Sequence, residues 1–277
     1  MPPLPHHPGL TIPRFGQGTW GVGERRAQRG AEIAALRHGL ERGITLIDTA
    51  EMYGDGGAEE IVGEAIAGRR DGLFIVSKVL PANASRRGTV AACEQSLRRM
   101  KIDCIDLYLL HWRGDIPLAQ TLAAFTELQA AGKIRAWGVS NLDLSDMQEL
   151  AALDGGDACA TNQLLYNLTR RGIEYDLLPW CRARHMPVMA YSPIEQGRML
   201  GHPVLREVAA NLGATPAQVA LAWLLRRDDI VVIPKAATPT HIDDNLGARD
   251  LRLGDGDLAA LDHAFPPPTR ATPLEML

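Results

Sequence analysis

Short, largely apolar runs recur along the chain, and the segments between them carry apolar residues at helical spacing. The runs Thr45 to Asp48, Leu73 to Lys78, Ile105 to His111, Ile134 to Ser140, Pro187 to Tyr191 and Ile230 to Ile233 show no strict alternation. That pattern fits strands covered on both faces, as in a parallel sheet. Val90, Cys93, Leu97 and Met100 form one apolar helical stripe, the face such a helix lays on the sheet. Thr215, Pro216 and Gln218 predict an N-cap, a first-position proline and a capping-box partner for the helix carrying Val219, Leu221, Trp223 and Leu224. The runs end at Gly18, Asp48, Lys78, His111, Ser140, Gln163, Tyr191 and Pro234, spaced by about 30 residues, which is the length of a strand, a crossover helix and the next strand. The last interval is the longest and holds the Thr215 helix. Eight such units predict an α/β fold, a parallel (β/α)8 TIM barrel. Residues 1–277 are expected to form one domain, with a short N-terminal hairpin and the barrel proper from about residue 14 to 250. An extra helix from Asp255 to Phe265 and a proline-rich, irregular tail over about 265–277, able to fold over the barrel mouth, complete the expected architecture.

The chemistry of such barrels lies at the carboxyl ends of the strands. Asp48, Lys78, His111, Asn141, Gln163, Tyr191 and Lys235 therefore share one mouth, and the chain is expected to be an enzyme. Its 277 residues, 46% of them hydrophobic, suffice for a full core. A formal charge of −4 spread over interspersed charges, without basic stripes, argues against nucleic acid as a partner. Four cysteines without a CxxC pair suggest neither a metal site nor a disulfide framework, and fit a reducing cytosol. The start MPPLPHHPGL lacks a charged region followed by an apolar one, and no apolar run reaches the roughly 18 residues of a membrane helix. The expectation is an unexported, cytoplasmic protein without a membrane partner.

The segments FGQGTWGVGE, LIDTAEMYGDGGAEEIVGEAI, IVSKV, SLRRMKIDCIDLYLLHW, GKIRAWGVSN, TNQLLYN, MAYSPI and IPKA run in order from about residue 10 to 248. With Asp48, Tyr53, Lys78 and His111 they resemble the aldo-keto reductase superfamily. LIDTAEMY, LLHW and the closing LEML are most similar to bacterial methylglyoxal reductase-like members. The resemblance implies reduction of small aldehydes or ketones, methylglyoxal-like 2-oxoaldehydes among them, by hydride from NADPH, and a monomer.

The four residue types suit that chemistry on physical grounds. A carbonyl accepting hydride develops negative charge on oxygen, so a proton donor and fixed polar groups must meet it. Tyr53 is the donor candidate. A Lys78 ammonium beside it is expected to lower its pKa by roughly 1 to 3 units, toward the operating pH. Asp48 would keep the buried ammonium charged, and His111 would orient the carbonyl by a hydrogen bond.

Carried over position by position, the resemblance places Ser140, Asn141 and Gln163 at the nicotinamide carboxamide and Tyr191 against the nicotinamide ring. Ser192 and Ile194 begin the pyrophosphate loop, with Gln196 and Gly197 as further candidates in a short EQGRMLG segment. Lys235 matches the cation facing the adenosine 2′-phosphate, and Asn245 the residue at the adenine amino group. His241 stands where many relatives have an arginine, and Ala236 where a serine is frequent. A histidine clamps phosphate less firmly than a guanidinium, so NADH stays open beside NADPH.

Trp20, Met52, Leu80 and Trp112 are expected to wall the substrate pocket. Gly16, Gly18 and Gly21 satisfy G-x-G-x-x-G, but Pro13 interrupts the strand a Rossmann unit needs there and the acidic partner is absent at its spacing. They are expected to form the first barrel turn instead. Two other functions stay open: a cofactor-sensing binding subunit without turnover, and a lyase using Lys78 as a Schiff-base amine.

Overall fold

The computed structural model describes residues 4–7 and 10–277. In chain order its elements begin with strands β1 (Leu4–His7), β2 (Leu10–Ile12) and β3 (Gly16–Gly18), helix α1 (Arg29–Glu41), β4 (Leu46–Asp48) and α2 (Gly57–Ala65). There follow β5 (Phe74–Val79), α3 (Arg86–Met100), β6 (Ile105–Leu110), α4 (Leu118–Ala130), β7 (Ile134–Ser140) and α5 (Leu144–Ala152). The chain continues through β8 (Asn162–Leu165), α6 (Leu177–Ala183), β9 (Val188–Tyr191), α7 (Pro203–Asn211), α8 (Pro216–Leu225) and β10 (Ile230–Val232), and ends with α9 (Pro239–Leu246) and α10 (Asp255–Ala264).

Strands β3 to β10 pair in sequence order, each parallel to the next. A parallel bridge between Phe15 and Val232 and the bond from the Gly18 amide to the Pro234 carbonyl (3.1 Å) join the two ends of the sheet. The (β/α)8 barrel read from the periodicity is therefore present, with strand boundaries shifted by one or two residues. The hairpin β1–β2 precedes it, and α7 and α8 together occupy the long interval before β10.

Side chains alternate across each strand, and this divides the core in two. Ile47, Ile75 and Val79 point outward and pack in one cluster with helix residues such as Phe125 and Trp223 and with Trp137 of β7. Leu46, Phe74, Val76, Leu107, Leu109 and Met189 fill the barrel interior, which Leu10 and Ile12 join. The same alternation that turns Leu46 inward turns Asp48 inward two residues later, and Phe74 and Val76 are followed by Lys78. The layer nearest the mouth is thus polar where the lower layers are apolar.

The glycines of the G-x-G-x-x-G match have structural causes. A Cβ at Gly18 would lie 2.7 Å from the Ile233 carbonyl oxygen, so β3 can approach β10 only with glycine there. Gly16 and Gly18 lie in the first barrel strand itself, and Gly21, at φ 75°, makes the turn after it. The capping box of α8 forms as read: the Thr215 hydroxyl accepts from the Gln218 amide and the Gln218 side chain accepts from the Thr215 amide. Among the described residues no single helix is long and apolar enough to cross a membrane, and no group of side chains suited to hold a metal ion occurs.

Candidate active site

Lys78 projects from β5 into the polar top layer, fully buried. Its ammonium donates to Asp48 Oδ2 (2.8 Å), the Thr49 carbonyl (2.8 Å) and Tyr53 Oη (3.3 Å). An ammonium has three protons and no lone pair, so all three are used, and Tyr53 Oη is the acceptor in its bond. The phenolic proton of Tyr53 is then free to point elsewhere. Asp48 is held on its other oxygen by the Gln163 amide, which donates to Oδ1 at 2.7 Å.

Tyr53 reaches this position through a tight turn after β4. Gly54 and Asp55 adopt left-handed conformations (φ 58° and 52°), and a Cβ on Gly54 would stand 2.9 Å from the Val22 carbonyl oxygen. The ring meets His111 edge-on at 5.7 Å between centroids. His111 lies just past β6, its ring 4.8 Å from that of Trp112, and its Nδ1 is buried without a partner.

Charge follows from these surroundings. Burial pushes Lys78 down, but Asp48 and Tyr53 together outweigh it and hold the ammonium's pKa above its ordinary value. Burial pushes the Tyr53 phenol up, and this exceeds the downward pull of Lys78. The expected lowering of Tyr53 toward neutrality is therefore corrected: in this enclosed corner desolvation wins, and the phenol keeps its proton through the neutral range. Burial, with a smaller contribution from Lys78, pushes His111 down to about 2, so the imidazole is neutral.

That last shift has a thermodynamic sign. A histidine whose folded pKa lies below its unfolded value of about 6.5 contributes stability above that pH and loses it as pH falls toward the folded pKa. Between pH 7 and 5 the wild-type protein should therefore lose about 2 kcal/mol more stability than His111→Asn. Urea unfolding of both proteins at the two pH values checks this; equal losses would show that His111 is not held neutral.

The mouth opens into a cavity of about 870 Å³. Asp48, Tyr53 and His111 line it at one side, with Trp20, Met52 and Trp112 around them. Ser140, Asn141, Gln163 and Tyr191 form a continuous wall. Asn141, itself left-handed (φ 57°), donates to the His111 carbonyl (3.2 Å) and to the Ser140 hydroxyl (3.1 Å), and accepts from the Tyr191 hydroxyl (3.0 Å). Ser192, Ile194, Gln196 and Gly197 continue the lining, and Lys235, His241 and Asn245 complete it beside β10. Leu80 is the exception and does not line the cavity. Strand β5 ends at Val79, and Leu80 is the residue before a 3₁₀ turn (φ −67°, ψ 147°), its amide tied to Glu51 Oε1 at 2.7 Å.

One feature escaped the sequence reading. Glu195, buried in the loop after β9 at φ 50°, accepts from Asn167 (2.8 Å), Arg170 (3.1 Å) and Arg198 (2.8 Å). Burial alone would raise its pKa, but those bonds hold it below the ordinary carboxylate value. Arg170 also reaches Glu275 in the tail at 2.5 Å. The tail thereby lies across the mouth, with Met276 and Leu277 in the cavity lining and the Leu277 amide 3.3 Å from the Tyr191 hydroxyl. The charge of Glu195 in an EQG segment was the available signal, but two of its three partners, Asn167 and Arg170, come from a different loop.

A sequence model described as the aldo/keto reductase family matches residues 14–265. The chain belongs to the aldo/keto reductase family. It is 53% identical over 273 residues to methylglyoxal reductase YeaE of Escherichia coli K12, covering 97% of this chain and 96% of that one. Glyoxal reductase of Bacillus subtilis is 34% identical, covering 92% of this chain and 90% of that one. An aldo/keto reductase of Klebsiella pneumoniae, crystallised in complex with NADP and acetate, superposes with a TM-score of 0.95 at 52% identity, covering 97% and 96% of the two chains. The protein is thus an oxidoreductase of this family.

Proposed function

We propose that this chain reduces small aldehydes and ketones, 2-oxoaldehydes such as methylglyoxal foremost, with NADPH as hydride donor and Tyr53 as general acid. The observation that carries the reading is the bond from Lys78 to Tyr53 Oη, because it leaves the phenolic proton as the one available to a carbonyl at the mouth. The named activities of the E. coli and B. subtilis relatives support the substrate class. The NADP bound to the K. pneumoniae relative supports the cofactor.

The cavity fits such a dinucleotide by the chemistry of its wall. Ser140, Asn141 and Gln163 offer hydroxyl and amide groups suited to a carboxamide, and the Tyr191 ring offers a flat face. Lys235 and His241 offer basic groups at the opposite rim, where Asn245 is buried. Bound NADPH supplies the hydride to the carbonyl carbon.

The protein's own groups do the rest. The neutral His111 orients the carbonyl oxygen, and Tyr53 gives that oxygen its proton. The phenolate left behind is stabilised by the Lys78 ammonium, which Asp48 keeps charged. Trp20, Met52 and Trp112 furnish apolar walls for a small substrate, and the tail narrows access.

A lyase using Lys78 as nucleophile is disfavoured by the same contacts. An amine must be unprotonated to attack a carbonyl, whereas Asp48 and Tyr53 favour the ammonium. Assaying methylglyoxal, glyoxal and aromatic aldehydes with NADPH and with NADH tests the proposal. Fastest consumption of NADPH with the 2-oxoaldehydes is expected; no consumption with any aldehyde would leave the cofactor-sensing role as the better reading.

A further inference from the structure

NADPH and NADH differ only in the phosphate on the adenosine ribose, so discrimination between them must come from groups that meet that phosphate. No arginine lines the cavity among the described residues. Apart from the neutral His111, its basic side chains are Lys235 and His241. They lie together at the rim beside β10, across the eight-stranded ring from the β6 edge that carries His111.

His241 sits in the first turn of α9, its amide donating to the hydroxyl of the N-cap Thr238 at 3.3 Å. Its ring is exposed and, among the described residues, makes no ion pair. The charged groups around it are few. Asp244 lines the cavity, but its carboxylate is engaged by the Thr215 hydroxyl and the Gln218 amide, both at 3.1 Å. Asp243 is paired with His38 of α1 (3.1 Å) and with Arg42 just after that helix (2.8 Å). Helix α8, which also packs on α9, carries no charged side chain, and Arg249 lies beyond the far end of α9. Lys235 is the remaining neighbour in the preceding loop.

We propose that His241 makes the preference for NADPH over NADH proton-dependent, strengthening as the pH falls through neutrality. The proposal rests on the reading that this cavity holds the dinucleotide. A lysine ammonium keeps its charge throughout the neutral range, whereas a histidine gains its charge between about pH 8 and 5. Protonated, His241 becomes a second cation and N–H donor for a phosphate dianion. Unprotonated, it leaves Lys235 as the main electrostatic contact. Cofactor choice would then follow the acidity of the surroundings, with no change in the catalytic groups.

Fluorescence titration of NADPH and NADH, each at about pH 8.5, 7.5 and 6.5, tests this. The range stays above the phosphate's own second pKa of about 6, and the ratio of the two dissociation constants cancels groups that sense both cofactors alike. For the wild-type protein the preference should rise roughly 3- to 10-fold from the highest to the lowest pH, the size of one charge-assisted contact at a partly exposed site. In His241→Ala the ratio should stay flat or decline as the phosphate begins to protonate. In His241→Arg it should be high at every pH, since a guanidinium remains charged. A flat wild-type ratio, or the same slope in wild type and His241→Ala, would overturn the proposal while leaving the reductase reading intact. Failure of both cofactors to bind would instead remove the reading of the cavity, and the proposal with it.

Discussion

Tyr53→Phe should lower kcat by about 10² to 10⁴, the contribution of a positioned general acid, while NADPH binds nearly as tightly as to the wild-type protein. The change removes one oxygen, and that oxygen accepts from Lys78 at 3.3 Å. The ring remains to pack against His111, so the geometry of the mouth should persist. Lys78 keeps its bonds to Asp48 and Thr49. The loss should therefore fall on kcat and kcat/KM alike, as expected for an interaction made in the transition state. Steady-state assays with methylglyoxal, paired with fluorescence titration of NADPH, separate the two effects. Turnover within a few-fold of wild type would remove Tyr53 from the proton-transfer role.

The second large effect is on stability. Asp48→Ala should destabilise the fold by about 3 to 5 kcal/mol, because it strands a buried ammonium without its countercharge. Lys78 is fully buried, so water cannot replace the lost carboxylate, and the Gln163 amide loses its acceptor as well. The double variant Asp48→Ala, Lys78→Met should recover much of the loss, since no isolated charge is left inside. Urea unfolding of the two variants decides the matter. A double variant as unstable as the single one would show that packing, rather than the unpaired charge, accounts for the cost.

The barrel was legible because its signal is additive: eight apolar runs at a common spacing specify a parallel sheet even when each run alone is ambiguous. Asp48 and Lys78 were legible for a related reason. Each continues an inward series that is otherwise apolar, and a charge there demands a partner.

Leu80 shows where that logic stops. Extending the inward parity of Lys78 by two residues assumes that the strand continues, but β5 ends at Val79. The Tyr53 pKa was misjudged because the sequence shows which charge is near and not how much water is excluded. The bond from Gln163 to Asp48 spans 115 residues, and the Glu195–Arg170–Glu275 chain joins three loops that only the folded barrel brings together. Contacts of that kind depend on how loops settle over the mouth, which no local pattern encodes.

The most direct test of the proposed chemistry follows the hydride itself. The wild-type protein would be incubated with methylglyoxal and NADPH carrying deuterium at both C4 positions of the nicotinamide, and the product analysed by mass spectrometry and NMR. The proposal predicts a hydroxy product with one deuterium on the former carbonyl carbon. Product without deuterium on that carbon, or a borohydride-trappable adduct on Lys78 in place of reduction, would contradict it.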